Sequence, residues 1–430
     1  MIKNAKRNFS LLMLGQFISI LGDRISTSVF LTIAAMIVMD SASSMQSSII
    51  LAFQISPFLI FGYFFGLMAD LVEKRKILIF ADFGRAGVLF LLYFFHESLI
   101  FLYFCVFLIG FFTSMFEPAK KAILPFIVRK ENLVFFNKFF AFIEIFAMLL
   151  GLGVGAFLLS KIGIEKALFL DACTYLVSLC LLLFIRYHDE NEILEKTHPK
   201  IESFKQGFKR HKVELIEGFT YLKSNENVKY MIINLIFFHF IVVALFAAAM
   251  IDYSIRTFDV GIGILIASGL GFTDMYVGSY TTFLFLFVAV GAMVTPLIKM
   301  LLSKLKESVL TVVVFLFGFF IMMIASIMSF IFSVEVFFGW FFLIIFFVGI
   351  VAGLQYIRFT YLIQMNTEKK YMGRVVAVAE IVWSLALFVG ILFGSFFNDL
   401  FSYKVGFMLT AFVCLLGAMS FYFSRGKITW

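Results

Sequence analysis

The chain has 430 residues, of which 62% are hydrophobic and only 14% are charged, and its mean hydropathy is +1.04. Soluble domains are about 45–50% apolar and about 25% charged, so this composition excludes a soluble globular protein. The net charge is +8 and the four cysteines all fall inside apolar segments. This cysteine pattern indicates neither a disulfide framework nor a metal site, and we expect no cofactor.

Twelve apolar segments are each long enough to cross a bilayer as a helix, which takes about 20 residues. The first six lie at 9–39, 47–69, 77–95, 99–116, 135–159 and 167–185. The second six lie at 228–251, 276–302, 309–332, 336–360, 372–397 and 405–423. Because these segments are apolar on every side, they favour helices over the alternating strands of a membrane barrel.

Lysine and arginine are concentrated on one side of the predicted membrane. Both termini and the loops on their side hold 28 of the 35 basic residues, and the opposite loops hold four. Cytoplasmic loops are enriched in Lys and Arg, so both termini are predicted to be cytoplasmic. This topology explains the net charge without a nucleic-acid partner. We expect a multi-pass protein of the bacterial cytoplasmic (inner or plasma) membrane.

The longest polar segment divides the chain. We predict an N-terminal six-helix half at 1–186, a cytoplasmic linker at 187–227 and a C-terminal six-helix half at 228–430. Five apolar residues of the linker recur at helical spacing: Phe204, Phe208, Leu215, Phe219 and Leu222. This spacing indicates an amphipathic helix along the cytoplasmic surface, serving as a brace or, alternatively, as a regulatory site.

The two halves share a register of glycines. Shifting the second half back by 239 positions superposes three glycines on three others and aligns the span edges. The pairs are Gly110 with Gly349, Gly151 with Gly390, and Gly155 with Gly394. The sequence therefore predicts an all-α membrane protein with twelve transmembrane helices in two six-helix pseudo-repeats.

The most specific motif is GLMADLVEKRK at 66–76, after the second predicted span. A glycine permits close helix packing, an aspartate can face a helix N-terminus, and basic residues anchor a loop at anionic headgroups. The stretch resembles the signature loop of the major facilitator superfamily, although Leu71 and Glu73 replace the usual arginine and glycine. The resemblance implies a conformational latch that holds the outward-open state. Its members would be Gly66, Asp70, Arg75 and Lys76.

Two further charged pairs could act with this loop, and only the first lies close to it in sequence. Asp82 and Arg85 stand one turn apart in the third span, and Glu117 and Lys120 follow the fourth span. We expect both pairs to complete the latch network.

Three stretches narrow the resemblance: SILGD at 19–23, FEPAK at 116–120 and EGFTYL at 217–222. They resemble the macrolide-efflux-like (enterobactin-exporter-like) branch and, more distantly, lysophospholipid transporters. The glycine run from Gly151 to Gly155 is similar to the antiporter motif of drug exporters, without that motif's proline. We expect helix packing at Gly151, Gly155, Gly390 and Gly394.

Charges inside spans cost about 2.5–3.5 kcal/mol each on insertion scales and usually mark a pathway. Asp23 lies near or beyond the bilayer middle, Arg24 points about 100° away from it, and Glu144 and Glu380 lie about 13 Å deep. We predict that these four residues form the proton-coupling site and substrate cavity. The alternative is structural pairing, for example between Arg24 and a carboxylate of another span.

Two other aspartates, Asp171 and Asp252, lie near predicted span ends, where we expect solvated or capping roles. The sequence contains no Walker motif, no Gly-x-Ser-x-Gly elbow and no HExxH motif, so enzymatic activity is not expected.

Three functions remain open. The favoured one is a secondary active transporter that exports an amphipathic small molecule, macrolide-like, drug-like or a secondary metabolite, by proton-coupled alternating access. The alternatives are a lysophospholipid translocator and a non-transporting membrane scaffold. For the transporter, the expected partners are the small-molecule substrate, protons and the lipid bilayer, and the expected state is a monomer.

Overall fold

In a computed structural model of the chain, the described residues are 5–37, 44–95, 97–127, 133–185, 213, 216–238, 244–259, 277–302, 307–368 and 371–424. They form helices and contain no strand. The first six principal helices are α1 (Ala5–Ile37), α2 (Ser44–Leu71), α3 (Lys74–Phe94), α4 (Leu99–Ile127), α5 (Leu133–Leu183) and α6 (Glu226–Phe237). The remainder are α7 (Ala244–Asp259), α8 (Val277–Leu301), α9 (Glu307–Ile331), α10 (Val334–Asn366), α11 (Met372–Phe401) and α12 (Tyr403–Ser424). A short helical segment at 216–224 precedes α6.

The predicted twelve-span, all-helical architecture is confirmed. Ten stretches of the described helices are long and apolar enough to cross a membrane, and they match predicted spans one to four, six and eight to twelve. The 51-residue α5 contains spans five and six, because it turns at Gly163, where φ is +80°. Glycine adopts this backbone conformation without strain. Predicted span seven is divided between α6 and α7, and residues 239–243 between them lie outside the described ranges.

Two helices continue past their predicted ends. α4 runs to Ile127, so Glu117 and Lys120 lie inside a helix and not in a loop after it. In this part of α4 the two side chains pair across one turn, with Lys120 Nζ 2.6 Å from Glu117 Oε1. α7 runs to Asp259, which places Asp252 within a helix.

The chain divides into two compact units. Unit 1 comprises Met1–Met39, Phe53–Lys212 and Phe272–Thr282, and unit 2 comprises Asp40–Ala52, Val213–Gly271 and Phe283–Trp430. In unit 1, an apolar core joins α1, α2, α3, α4 and the end of α5. In unit 2, segment 216–224 contributes to a core formed with α6, α9, α10, α11 and α12.

Glycines bring equivalent helices together in both units. In unit 1, a Cβ atom on Gly110 of α4 would overlap the backbone carbonyl of Gln54 on α2. In unit 2, a Cβ atom on Gly349 of α10 would overlap the backbone carbonyl of Val288 on α8. Spans four and ten therefore pack on spans two and eight through glycines that are 239 positions apart.

The second glycine pair repeats this correspondence. A Cβ atom on Gly155 of α5 would lie 3.0 Å from the carbonyl oxygen of Arg24 on α1. A Cβ atom on Gly394 of α11 would lie 2.9 Å from the Cβ atom of Ala248 on α7. Spans five and eleven thus pack on spans one and seven, which confirms the two pseudo-repeats.

Segment 216–224 packs against the connection between α10 and α11 in unit 2. The rings of Tyr221 and Tyr371 stack with their centroids 4.5 Å apart. Glu217 Oε2 lies 2.7 Å from Nη1 of Arg374 at the start of α11. The EGFTYL stretch is therefore a docking element of unit 2. Residues 186–212, which hold the first part of the predicted amphipathic helix, lie outside the described ranges.

Candidate functional site

A buried cluster of charged and polar side chains joins α1, α3, α4 and α5 in unit 1. Asp23 on α1 accepts a hydrogen bond from the hydroxyl of Tyr175 on α5. The guanidinium of Arg85 on α3 lies over the Tyr175 ring, 4.3 Å from its centroid, and over the Phe116 ring, 4.5 Å from that centroid. Arg85 also forms an ion pair with Asp82, one turn earlier on α3. Tyr175 thus links Asp23 to the Asp82–Arg85 pair.

The ion pair on α3 is fully enclosed, with Asp82 0% and Arg85 2% exposed. Burial of an ion pair costs desolvation energy, which is offset only where further partners surround both groups. The planar guanidinium of arginine meets this need, because it pairs with a carboxylate at its edge while its faces stack on aromatic rings. Lysine cannot make both contacts in this geometry.

Asp171 is a third carboxylate in this region, and the prediction of a solvated or capping position for it was wrong. It lies on α5 one turn before Tyr175 and is fully buried. Its carboxylate accepts hydrogen bonds from the hydroxyl of Ser26 and, at 2.9 Å, from the hydroxyl of Thr174. The helical stretch after Gly163 begins earlier than predicted, so Asp171 lies about two turns inside it.

Gly22 makes the close approach of α1 to this part of α5 possible. A Cβ atom on Gly22 would overlap both the Asp171 carboxylate and the Thr174 hydroxyl. Two turns earlier on α1, a Cβ atom on Gly15 would lie 3.1 Å from the Ser178 hydroxyl. The glycine of the SILGD motif is therefore the sequence signal that points to a close neighbour of Asp23.

Three carboxyl groups, those of Asp23, Asp82 and Asp171, share this region with one fully buried cation, Arg85. Two unit charges about 4 Å apart interact by about 4 kcal/mol at an effective dielectric constant of about 20. Negative charge is therefore in excess over positive charge among these four side chains. Among the described residues, no group of three His, Cys, Asp or Glu side chains could hold a metal ion.

Arg24 is adjacent to Asp23 but has different neighbours. Its side chain packs against the first part of α5, where a Cβ atom on Gly151 would lie 2.8 Å from Arg24 Cγ. Its Nε is buried without a hydrogen-bond partner. The alternative, a pairing of Arg24 with a carboxylate of another span, is not found among the described residues.

The two glutamates predicted in the coupling site, Glu144 and Glu380, lie on helices of different units. Glu144 lies in α5 and Glu380 lies in α11, but both side chains fall outside the described part of the structure. Their role stays a prediction. The same holds for the packing role of Gly390, which also lies in α11.

The loop predicted as a latch makes contacts within unit 1. Nη1 of Arg75 donates a hydrogen bond of 2.7 Å to the carbonyl oxygen of Ile185, and Lys76 Nζ lies 2.9 Å from Glu73 Oε2. The close packing expected at Gly66 is not found in the described part of the chain, since a Cβ atom there would meet no atom within 4 Å. The side chain of Asp70 lies outside the described residues.

The two charged pairs assigned to the latch have different surroundings. Asp82 and Arg85 lie with Asp23 and Tyr175 in the buried cluster. Lys120 is buried and pairs with the partly exposed Glu117 on α4. Their participation in a latch stays a prediction.

A separate carboxylate in unit 2 fulfils the predicted capping role. Asp252 on α7 accepts a hydrogen bond of 2.7 Å from the backbone N–H of Tyr403, the first residue of α12. Arg256, one turn later on α7, lies 2.9 Å from the same carboxylate. Asp252 therefore fixes the start of α12 and is buried, not solvated.

Comparisons with known proteins agree with this architecture. The family profile described as Major Facilitator Superfamily matches residues 12–390. The MFS-type transporter YkuC of Bacillus subtilis (strain 168) is 26% identical over 240 residues, which are 55% of this chain and 54% of YkuC. The chain thus spans about half the length of this relative.

Solved transporter structures share the fold at low sequence identity. The nucleoside transporter NupG superposes with a TM-score of 0.68 at 10% identity, covering 96% of this chain and 98% of NupG. A bacterial homologue of the iron transporter ferroportin in an inward-facing state gives 0.67 at 14% identity, with 97% and 98% covered. A POT family peptide transporter gives 0.64 at 13% identity, with 99% and 98% covered.

Proposed function

We propose that this chain, which belongs to the Major Facilitator Superfamily and is a membrane transporter of that family, exports an amphipathic small organic molecule in exchange for protons. The proposed substrates are macrolide-like or drug-like compounds or secondary metabolites. The protein would act as a monomer in the bacterial cytoplasmic membrane, with both termini in the cytoplasm. The distribution of basic residues supports this orientation.

The observation that supports proton coupling best is the excess of carboxylates, two of them fully buried, around Arg85. Protonation of Asp23 would add an O–H donor to its carboxyl group and weaken it as an acceptor, and so change its bond to the Tyr175 hydroxyl. That bond joins α1 to α5. A proton on Asp23 would thereby stabilise one position of α1 against α5 relative to another. A ligand shifts a conformational equilibrium only when it interacts differently with the two conformations, and the proton would do so here.

The test is transport of radiolabelled erythromycin in proteoliposomes with and without an imposed pH gradient. We expect the gradient to accelerate transport by the wild type. Asp23→Asn should abolish this acceleration while leaving gradient-independent exchange, because the asparagine keeps the size but carries no titratable proton. Tyr175→Phe should reduce the acceleration partly, since it retains the ring beneath Arg85 but removes the hydroxyl.

Glu165→Gln is the matched control, because Glu165 is an exposed carboxylate of α5 in the same unit. It should respond to the gradient like the wild type. Erythromycin transport that is indifferent both to the gradient and to Asp23→Asn would exclude coupling through this cluster. Gradient-independent movement of a fluorescent lysophospholipid in its place would support the lipid-translocator alternative.

A further inference from the structure

Arg24 is a membrane-embedded guanidinium for which the described part of the protein supplies no counter-ion. Its span extends over Lys6–Ala34, so Arg24 lies about 6 Å beyond the midpoint of the span. The hydrocarbon core extends about 15 Å on either side of its centre, which leaves Arg24 well inside it. Among the described residues, no carboxylate or other acceptor bonds to its side chain, and its Nε is buried unpaired.

The helix packing around Arg24 holds its stem in place. Gly151 leaves room for it, since a Cβ atom there would lie 2.8 Å from Cγ and 3.0 Å from Cβ of Arg24. Gly155, one turn later on α5, lies against the Arg24 backbone carbonyl. The two glycines of α5 therefore form a notch in which the Arg24 stem lies, while the side chain as a whole stays partly exposed.

Asp23 does not neutralise this charge. Consecutive residues of a helix point about 100° apart, and the Asp23 carboxylate is bonded to the Tyr175 hydroxyl on another part of α5. Arg85 has its own counter-ion in Asp82. Among the described residues, Arg24 is thus left without an anionic partner, in a region where unpaired charge is costly.

The contact between α1 and α5 is apolar further along. The rings of Phe17 on α1 and Phe146 on α5 stack with their centroids 6.3 Å apart, less than two turns of α5 from Gly151. Leu150, next to Gly151, is 39% exposed. Phe146 is likewise 39% exposed, so a molecule bound at Arg24 would meet one cation beside an exposed apolar and aromatic wall formed by Phe146 and Leu150.

We propose that Arg24 binds the anionic group, a carboxylate or a phosphate, of an amphipathic substrate whose apolar body lies along this wall. The guanidinium offers paired N–H donors that match either group in a bidentate arrangement. The inference rests on the proposed transport function and narrows its substrate class to the drug-like compounds or secondary metabolites that carry an anionic group, since a macrolide such as erythromycin carries a cationic amine. A free carboxylic acid and a lysophospholipid headgroup present the same chemistry, so the probes must distinguish them.

The experiment measures equilibrium binding to the purified full-length protein in nanodiscs of zwitterionic lipid, without a pH gradient. The probes are 11-(dansylamino)undecanoic acid, its uncharged methyl ester, NBD-labelled lysophosphatidic acid and NBD-labelled lysophosphatidylcholine. We expect the wild type to bind at least one of the two net-anionic probes more tightly than its matched partner. A charge-assisted hydrogen bond contributes about 1.5–3 kcal/mol, so Arg24→Gln should weaken that binding roughly tenfold or more.

Arg24→Gln should leave binding of the ester and of the phosphatidylcholine probe unchanged, and Arg24→Lys should restore part of the lost affinity. Arg7→Gln is the matched control, because it removes a positive charge from the exposed cytoplasmic end of the same helix. Preference for the fatty acid identifies a carboxylate substrate, and preference for lysophosphatidic acid identifies a lipid phosphate.

Equal binding of charged and uncharged probes by the wild type, or no binding of either anionic probe, would overturn the proposal. An equal loss of affinity for all four probes in both Arg24→Gln and Arg24→Lys would also overturn it, because it would indicate that Arg24 has a structural role. The proposed coupling is tested separately, because Asp23→Asn should lose the response to the gradient while retaining anion binding at Arg24.

Discussion

Gly22 determines how closely α1 can approach the second part of α5. A methyl group in place of its hydrogen would overlap the Asp171 carboxylate and the Thr174 hydroxyl. We expect Gly22→Ala to lower the free energy of unfolding by about 1–3 kcal/mol, the usual cost of overpacking. The thermal unfolding midpoint of the protein purified in detergent measures the direction of this change.

Gly62→Ala on α2 is the control, because a methyl group there would meet no atom within 4 Å in the described part of the chain. Alanine is favoured over glycine in a helix by about 1 kcal/mol, so this variant should be at least as stable as the wild type. If Gly22→Ala is also as stable as the wild type, the close contact between α1 and α5 is wrong.

The sequence identified Asp23 but not its partners. A charged residue in an apolar span is visible at any position, and the adjacent glycine of SILGD adds a signal of close packing. Tyr175, in contrast, is one of 15 tyrosines, and nothing in its local sequence indicates which residue its hydroxyl reaches. The environment of Asp171 depends on the turn at Gly163 and on the rotation of α5 against α1. These are tertiary quantities that hydropathy does not contain.

Two contacts of different strength hold segment 216–224 against the rest of unit 2. Glu217 and Arg374 are 45% and 25% exposed, and exposed ion pairs contribute about 0–1 kcal/mol. Tyr221 is 9% exposed, stacks on Tyr371 and accepts a hydrogen bond from the N–H of Glu368 at 3.2 Å. We therefore expect Tyr221→Ala to release the segment, at a cost of about 3 kcal/mol, and Glu217→Gln to leave it docked.

Hydrogen exchange read by mass spectrometry checks this order. Peptides that cover Tyr371 to Val375 should exchange faster in Tyr221→Ala and at the wild-type rate in Glu217→Gln. Lys223→Ala changes an exposed side chain of the same segment and serves as the control. Faster exchange in Glu217→Gln than in Tyr221→Ala would show that the ion pair, and not the stacked ring, holds the segment.

The existence of the spans was predictable and their ends were not. A span requires about 20 apolar residues, which the composition displays directly. Helix ends depend on how local polar groups are satisfied. Beyond Phe116, Glu117 and Lys120 pair within α4, and beyond the predicted end of span seven the Asp252 carboxylate bonds to the backbone of α12, and hydropathy displays neither contact.

Only a few residues carry the sequence signal of the pseudo-repeat. Two glycine pairs, 239 positions apart, make the same helix-to-helix contacts in both units. Small residues are required where helix backbones approach closely, so these positions retain the register while the apolar residues around them vary. The charged cluster is not repeated in this register, since the positions 239 residues after Arg85 and Tyr175 hold isoleucine and cysteine.

The orientation of the whole molecule in the membrane yields the last prediction. The distribution of basic residues predicts that Glu165 lies outside and Lys223 in the cytoplasm, and both side chains are exposed. In a chain whose Cys105, Cys173, Cys180 and Cys414 are replaced, a membrane-impermeant maleimide should label Glu165→Cys in intact cells. It should label Lys223→Cys only after the cells are permeabilised. The reverse pattern would invert the topology, and labelling of both in intact cells would contradict a membrane crossing between Gly163 and Leu183.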